Sequence, residues 1–228
     1  MPCAFHRRNI SPNWALRFGK YLNNNPAEAP LGISAYMTNG GGTYYSPQFD
    51  TVGVSDLAPY FMADGVWHGN GSDYTTALVG NMSLSWLKKV IPGAKAGGKP
   101  FMAYIAPKAC HEPFTPATWY ADHWDPAWPA QEPRPISWNC SAESRANHHG
   151  NIKTQPMITP KCADYVTLSF KNRWRALMSV DDVIAETVAL VESEGLMDNT
   201  YFMYRWVYFL SAFSWRSRSQ PYSLVVPT

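Results

Sequence analysis

The strongest constraint on this chain lies between Val166 and Val191. Val166, Phe170, Trp174, Leu177, Val180, Ile184, Val188 and Val191 recur at steps of three and four, which places them on one apolar stripe of a helix. Such a helix must bury its stripe against another layer of structure. Thr159 followed by Pro160 suits its start, and Gly195 suits the position just past its end. A second helical pattern runs from about Tyr74 to Val90, with Leu78, Met82, Trp86, Leu87 and Val90 on its apolar side and Asp73 placed to cap it. Short β-prone runs surround these helices. RFGKYL (17–22) reads as a strand leading into the polar NNNP turn, and FMAYIA (101–106) and YFMY (201–204) read as buried strands. TNGGGTYYSPQFD (38–50) reads as a loop or hairpin, and IPGAKAGGKP (91–100) as a flexible connection. The succession strand, helix, strand, irregular loop, long helix, strand predicts an α/β domain with a largely parallel sheet flanked by helices.

The irregular loop is the unusual part. Residues 107–160 are rich in proline and tryptophan and show little periodicity, and so long a structureless stretch in a compact domain points to function. With 228 residues, 46% of them hydrophobic, the chain can bury one substantial core. A net charge of +2 gives no basic footprint for nucleic acid. The longest apolar run, Trp206 to Leu210, is far short of the ~20 residues that cross a bilayer. Only 16% of residues are charged, against 10 Trp, 13 Tyr and 19 Pro, a profile that suits a loop-rich secreted or luminal protein. Asn9, Asn70, Asn81 and Asn139 each open an N-x-S glycosylation sequon. The opening MPCAFHRRNISPNW has no apolar signal-peptide core, so a secreted form is expected to start further upstream. Cys3, Cys110, Cys140 and Cys162 show no C-x-x-C spacing, and disulfide pairing, Cys140 with Cys162 for instance, stays open.

Several motifs invite a chemical reading. GAKAGGKP (93–100) nearly matches a phosphate loop, but Pro100 occupies the magnesium-binding hydroxyl position, and the order helix, loop, strand is the reverse of what that motif needs. Asp181 and Asp182 look like a metal pair, yet adjacent residues of a helix point about 100° apart, so a solvated or capping role fits them better. A structural role is likewise the simpler reading of His148 and His149. Neither H-E-x-x-H nor G-x-S-x-G occurs. His111 differs, because ligands of open α/β sheets bind outside the carboxyl ends of the strands and His111 lies five residues past Ala106. It is either a hydrogen-bonded loop histidine or part of an active-site rim.

The blocks GKYLNNNP, KPFMAYIAPKACHEPFTPA, HWDPAWP, RPISWNCSAESRANHH and FKNRWRALMSVDDVIAETVALVESEGLMDNTYFMY resemble the sulfatase family, in particular its N-acetylglucosamine-6-sulfatase and arylsulfatase branch. The resemblance covers roughly residues 15–204 in unbroken order. It implies the alkaline-phosphatase-like α/β fold and hydrolysis of sulfate esters on sugars or aryl alcohols, in a lysosomal, secreted or periplasmic setting. It further implies a formylglycine made from the cysteine of C-x-P-S-R, and a calcium ion held by an early Asp pair and a later Asp-Asn or Asp-His pair. Lys20 in FGKYL matches the family's sulfate-binding lysine, and His111 in KACHEPF matches the histidine that contacts the ester oxygen. The histidine that many members place two residues after the lysine is Leu22 here.

Other expected parts are missing from the sequence. C-x-P-S-R does not occur, and CSAESR (140–145) has one residue too many and no proline, so Cys140 is not assigned as nucleophile. NTYFMY continues into RWVYFLSAFSW rather than SSDHG. The tail after Tyr204 is rich in serine and aromatics and has no Asp or Glu. The expected organisation is an unassigned segment 1–14, a sulfatase domain over 15–204 truncated at both ends, and an aberrant tail 205–228. The resemblance therefore implies a sulfuric ester hydrolase whose formylglycine cysteine and calcium ligands this chain lacks, leaving it without turnover. The alternative is a non-catalytic binder of sulfated carbohydrate that uses the tryptophan-rich segment 119–138 as a stacking platform.

Overall fold

In the computed structural model, residues 14–23 and 28–205 are described. Cys3, Asn9, most of the segment 1–14 and the tail beyond Arg205 lie outside the described residues. Five strands, β1 (Trp14–Lys20), β2 (Ala35–Asn39), β3 (Gln48–Val52), β4 (Gly65–His68) and β5 (Phe101–Ala106), form one sheet in the order β4-β3-β2-β1-β5. β1 pairs parallel with β2 and with β5, whereas β2–β3 and β3–β4 are antiparallel. The sheet is therefore mixed, not largely parallel as expected. Connection length is the reason: the eight residues 40–47 between β2 and β3 are too few for a crossover, which takes a dozen or more, so the chain must turn back on itself. The hairpin reading of 38–50 is the one the structure adopts.

Helix α1 (Thr75–Lys95) lies between β4 and β5 in the chain and covers one face of the sheet. Leu78, Met82, Trp86, Leu87 and Val90 pack against Leu16, Phe18, Ala35, Met37 and Phe49, all at most 5% exposed. Burying five such side chains contributes on the order of 10 kcal/mol of transfer free energy before chain entropy is subtracted. The helix outruns its expected end by five residues, through Pro92, and in this last stretch Gly93 packs directly under the ring of Trp14. Its cap also differs from expectation. Tyr74 occupies the N-cap without a side-chain bond, while the Asp73 carboxylate accepts from the Asn70 amide at 2.7 Å and closes the preceding turn.

After β5 the chain is irregular, apart from a 3-10 turn at Thr118–Tyr120 and two single-turn helices, α2 (Ala142–Arg145) and α3 (Gly150–Lys153). Helix α4 (Pro160–Ser193) then spans the domain. Thr159 caps it by accepting from the Cys162 amide at 3.3 Å, and Gly195 takes φ +67° just beyond its end. Its stripe divides in two. In the first half Trp174 stacks on Trp128 and meets Phe170 edge to face. In the second half Ala176, Ser179, Val180, Val183 and Val191 are buried, and the helix packs against α1. Ile184, expected inward, is 40% exposed. The helix is rotated because its close approach is onto Gly80 of α1, where Val183 fills the space that a Cβ would take. YFMY (201–204) forms no strand, and Tyr201 and Met203 are exposed. An extended segment with no neighbouring strand has no ladder of hydrogen bonds to hold it.

Candidate functional site

Lys20 closes β1, Asn39 closes β2 and Ala106 closes β5. Because these three strands are parallel and in register, with Lys20 beside Asn39 and Gly19 beside Ala106, their carboxyl ends share one edge of the sheet. Gly19 has φ +96°, and a Cβ there would collide with the Ala106 carbonyl, so only glycine lets β1 turn out beside β5 at this point. Local backbone geometry thus delivers Lys20 and the loop that begins at Pro107 to the same place.

The two lysines at this edge hang on one glycine-rich turn. Lys20 Nζ donates to Asn23 Oδ1 at 2.7 Å and to the Gly40 carbonyl. Lys108 Nζ donates to the Gly42 carbonyl and lies 4.9 Å from the centre of the Tyr44 ring. Among the described residues neither lysine forms an ion pair. Burial lowers the pKa of Lys20, and burial together with the nearby charge of Lys20 lowers that of Lys108. Among the described residues, the positive charge at this edge has no ion-pair partner.

His111 is held through its backbone. Its amide donates to the Lys108 carbonyl at 3.0 Å, and its carbonyl accepts from the Phe114 amide at 2.9 Å and the Tyr44 hydroxyl at 2.6 Å. The ring is exposed, with Nδ1 2.9 Å from the Glu112 carbonyl. A carbonyl can only accept, so Nδ1 carries the hydrogen of this bond and Nε2 is the ring nitrogen left for other partners. Two further tyrosines pin the rest of the loop. Tyr74 donates to the Thr115 carbonyl at 3.0 Å, and the Tyr45 oxygen accepts from the Thr118 amide at 2.8 Å. The Tyr74 ring stacks on that of Tyr44 and meets that of Tyr45 at a tilt, which joins the three into one cluster. Lys20 and His111 are not in contact; the turn 40–44 joins them, through Gly40 to one and Tyr44 to the other.

Sequence reading missed Lys108, Asn39 and the three tyrosines. Lys108 carried a legible signal, since it follows the apolar strand β5 by two residues at the ligand-binding edge. The tyrosines carried none, because their hydroxyls reach residues more than 40 positions away. Glu112 is exposed and takes no part through its side chain in any hydrogen bond described above.

The remaining motifs serve structure. Gly93 and Gly98 of the phosphate-loop lookalike join the end of α1 to its connection, where Gly98 N donates to Gly93 O at 3.0 Å. Asp182 accepts from the Tyr120 hydroxyl at 2.7 and 2.9 Å, which pushes the phenol up to about 12. Burial, then Asp182, raises the carboxyl of Asp181. His149 precedes α3, and Ser141 of CSAESR caps α2 by accepting from the Ser144 amide at 3.2 Å. Cys110, Cys140 and Cys162 are free thiols, and burial pushes Cys110 upward, away from a reactive thiolate. Asn70 and Asn81 are exposed, whereas the Asn139 amide is engaged with both backbone groups of Ile158. A cavity of about 320 Å³ between α1 and α4 is lined by Asp182 and Glu186, which makes it a poor host for an anion.

A family model, that of the sulfatases, matches residues 32–205. The chain belongs to the sulfatase family. It is 29% identical over 197 residues to the N-acetylglucosamine-6-sulfatase of Homo sapiens, covering 82% of this chain and 32% of that protein. It is 28% identical to the Capra hircus protein of the same name, over 82% of this chain and 32% of that one. To the arylsulfatase of Volvox carteri it is 26% identical, over 81% of this chain and 29% of the relative. The chain thus spans about a third of the length of these relatives. Sulfatase membership implies the alkaline-phosphatase-like α/β fold, and the sheet and helices described above are of the α/β kind.

Sulfatases use calcium and formylglycine. Among the described residues of this sulfatase chain, no three His, Cys, Asp or Glu side chains come together in a way that could hold a metal ion. These residues therefore do not fit the calcium of the family, and the 228 residues contain no C-x-P-S-R. Among the described residues no helix is long and apolar enough to cross a membrane.

Proposed function

We propose that this chain supplies the sulfate-recognising wall of a sulfuric ester hydrolase for sulfated sugars such as N-acetylglucosamine 6-sulfate or for aryl sulfates. A lysosomal, secreted or periplasmic protein is the setting such an activity fits. The observation behind the reading is the shared strand edge that brings Lys20 and the His111 loop together, in a chain of the sulfatase family. Fixed cations at this edge stabilise a sulfate ester without reorganising when charge develops on its oxygens. In this role Lys20 binds a sulfate oxygen as a point charge, and His111 turns Nε2 toward the ester oxygen, donating to it when protonated.

The same reading holds that the chain by itself has no turnover. It contains no C-x-P-S-R from which a formylglycine nucleophile could be made, and a catalytic unit that lacks its nucleophile retains only what binding and charge stabilisation supply. Recognition by a tryptophan platform is the weaker alternative, because Trp128 spends its face on Trp174 while Trp124 packs edge to face on Trp128. The test is equilibrium binding of N-acetylglucosamine 6-sulfate to the wild-type chain and to His111→Ala. A loss of affinity of about tenfold on substitution supports the reading, as expected for a hydrogen bond to a charged group. Equal affinity in the two proteins would remove His111 from the site.

A further inference from the structure

Lys108 and Asn39 have no role in the reading above, which rests on Lys20 and His111. Asn39 is 5% exposed, and its Nδ2 amide has no hydrogen-bond partner. Leaving a buried donor unpaired is costly, so such a group calls for an explanation. Its Oδ1 is engaged, accepting from the Gly41 amide at 3.2 Å, which fixes the side chain and leaves Nδ2 beside Gly42. A Cβ added at Gly42 would come 3.3 Å from Asn39 Nδ2, and one added at Gly41 would come 3.0 Å from Lys20 Nζ. The glycine turn therefore keeps open the space beside both donors. The Gly42 carbonyl anchors the third donor, Lys108 Nζ.

Donor arithmetic shows what this cradle can hold. An ammonium has three N–H donors. Lys20 uses two, on Asn23 and Gly40, leaving one, while Lys108 uses one, on Gly42, leaving two. The three side chains that meet at this turn, Lys20, Lys108 and Asn39, thus offer free donors, two of them are cationic, and none has a carboxylate partner among the described residues. A neutral sugar hydroxyl would leave the charge uncompensated, and a metal cation would be repelled. A tetrahedral oxyanion matches both the charge and the donors.

We propose that Lys108 and Asn39 complete an oxyanion subsite with Lys20, in which one sulfate group is held between the two ammonium groups over the Gly40–Gly42 turn. Lys108 is then a second sulfate-binding cation, and Asn39 is the neutral donor at the floor of the subsite. The burial that lowers the affinity of both lysines for protons, and the charge of Lys20 that adds to it at Lys108, are offset when the anion arrives.

The experiment uses the full chain and inorganic sulfate as the probe, with calorimetric titration of the wild type, Lys108→Gln, Lys108→Arg, Asn39→Ala and Lys20→Gln, and a melting temperature for each. Lys89→Gln, remote from the site, controls for general charge. The subsite predicts at least about a tenfold weakening for Lys108→Gln and Asn39→Ala. It also predicts retention of sulfate binding in Lys108→Arg and in Lys89→Gln. Wild-type affinity in Lys108→Gln, alongside a loss in Lys20→Gln, would overturn this inference and leave the proposed function standing. Equal losses in Lys108→Arg and Lys108→Gln at unchanged melting temperature would also overturn it, because charge would not be the cause. No sulfate binding by the wild type would overturn both this subsite and the reading on which it rests.

Discussion

At the scale of single residues, the chemistry of the sheet edge is set by charge held where water is partly excluded. Lys108 has its pKa lowered from 10.5 by burial and then by Lys20, so its ammonium is less stable than that of an ordinary lysine. Between the folded value and 10.5 the unfolded chain holds more protons, so stability without ligand rises with pH through that window. Binding of an anion runs the other way, because it needs the protonated lysine. Sulfate affinity is therefore expected to fall on the alkaline side with a midpoint below 10.5, accompanied by proton uptake on binding there, which calorimetry in buffers of different ionisation enthalpy measures. An affinity flat with pH across this range would remove the lysines from the site. His111 also shows why position in the chain alone could not decide its role: its backbone is fixed by Tyr44, 67 residues earlier, and the sequence contains no local sign of that bond.

At the scale of elements, the contact between α1 and α4 depends on Gly80. A Cβ there would lie 2.5 Å from Val183 Cγ2, so Gly80→Val must separate the helices or displace Val183. The expected cost is about 1–3 kcal/mol, read from chemical denaturation. An unchanged unfolding midpoint would contradict the close packing. Helix α4 was the most legible element, since its cap, its spacing and its terminal glycine agree on a helix, and the structure has the cap and the glycine where the sequence puts them. The face it buries was less legible. Ile184 and Val183 are adjacent and similarly apolar, and the choice between them is made by a glycine on another helix. β5 was legible as a short apolar run, but not as a buried one: it is an edge strand of the sheet, and Met102 and Tyr104 are 56% and 45% exposed. β3 and β4 were not legible, because strand direction depends on connection length rather than on composition, and YFMY, equally apolar, stays unpaired. Asp73 fits the composition of a cap, but its carboxylate serves the turn before the helix.

At the scale of the whole molecule, the domain is a mixed sheet with α1 on one face and α4 layered on α1, and one strand edge where positive charge gathers. The family was readable from blocks of sequence in unbroken order. Of the proposed site, Lys20 and His111 came from the resemblance, whereas Lys108, Asn39 and the tyrosines that pin the loop required the fold. The central claim is recognition of a sulfate ester without turnover, and one experiment addresses both halves. The full chain is titrated calorimetrically with N-acetylglucosamine 6-sulfate and with unsulfated N-acetylglucosamine, and free sulfate is measured after prolonged incubation with the ester. The account predicts saturable binding of the sulfated sugar, at least about tenfold tighter than the neutral one, with no sulfate released above the uncatalysed background. Equal affinity for the two sugars, or catalytic release of sulfate by this chain, would contradict it.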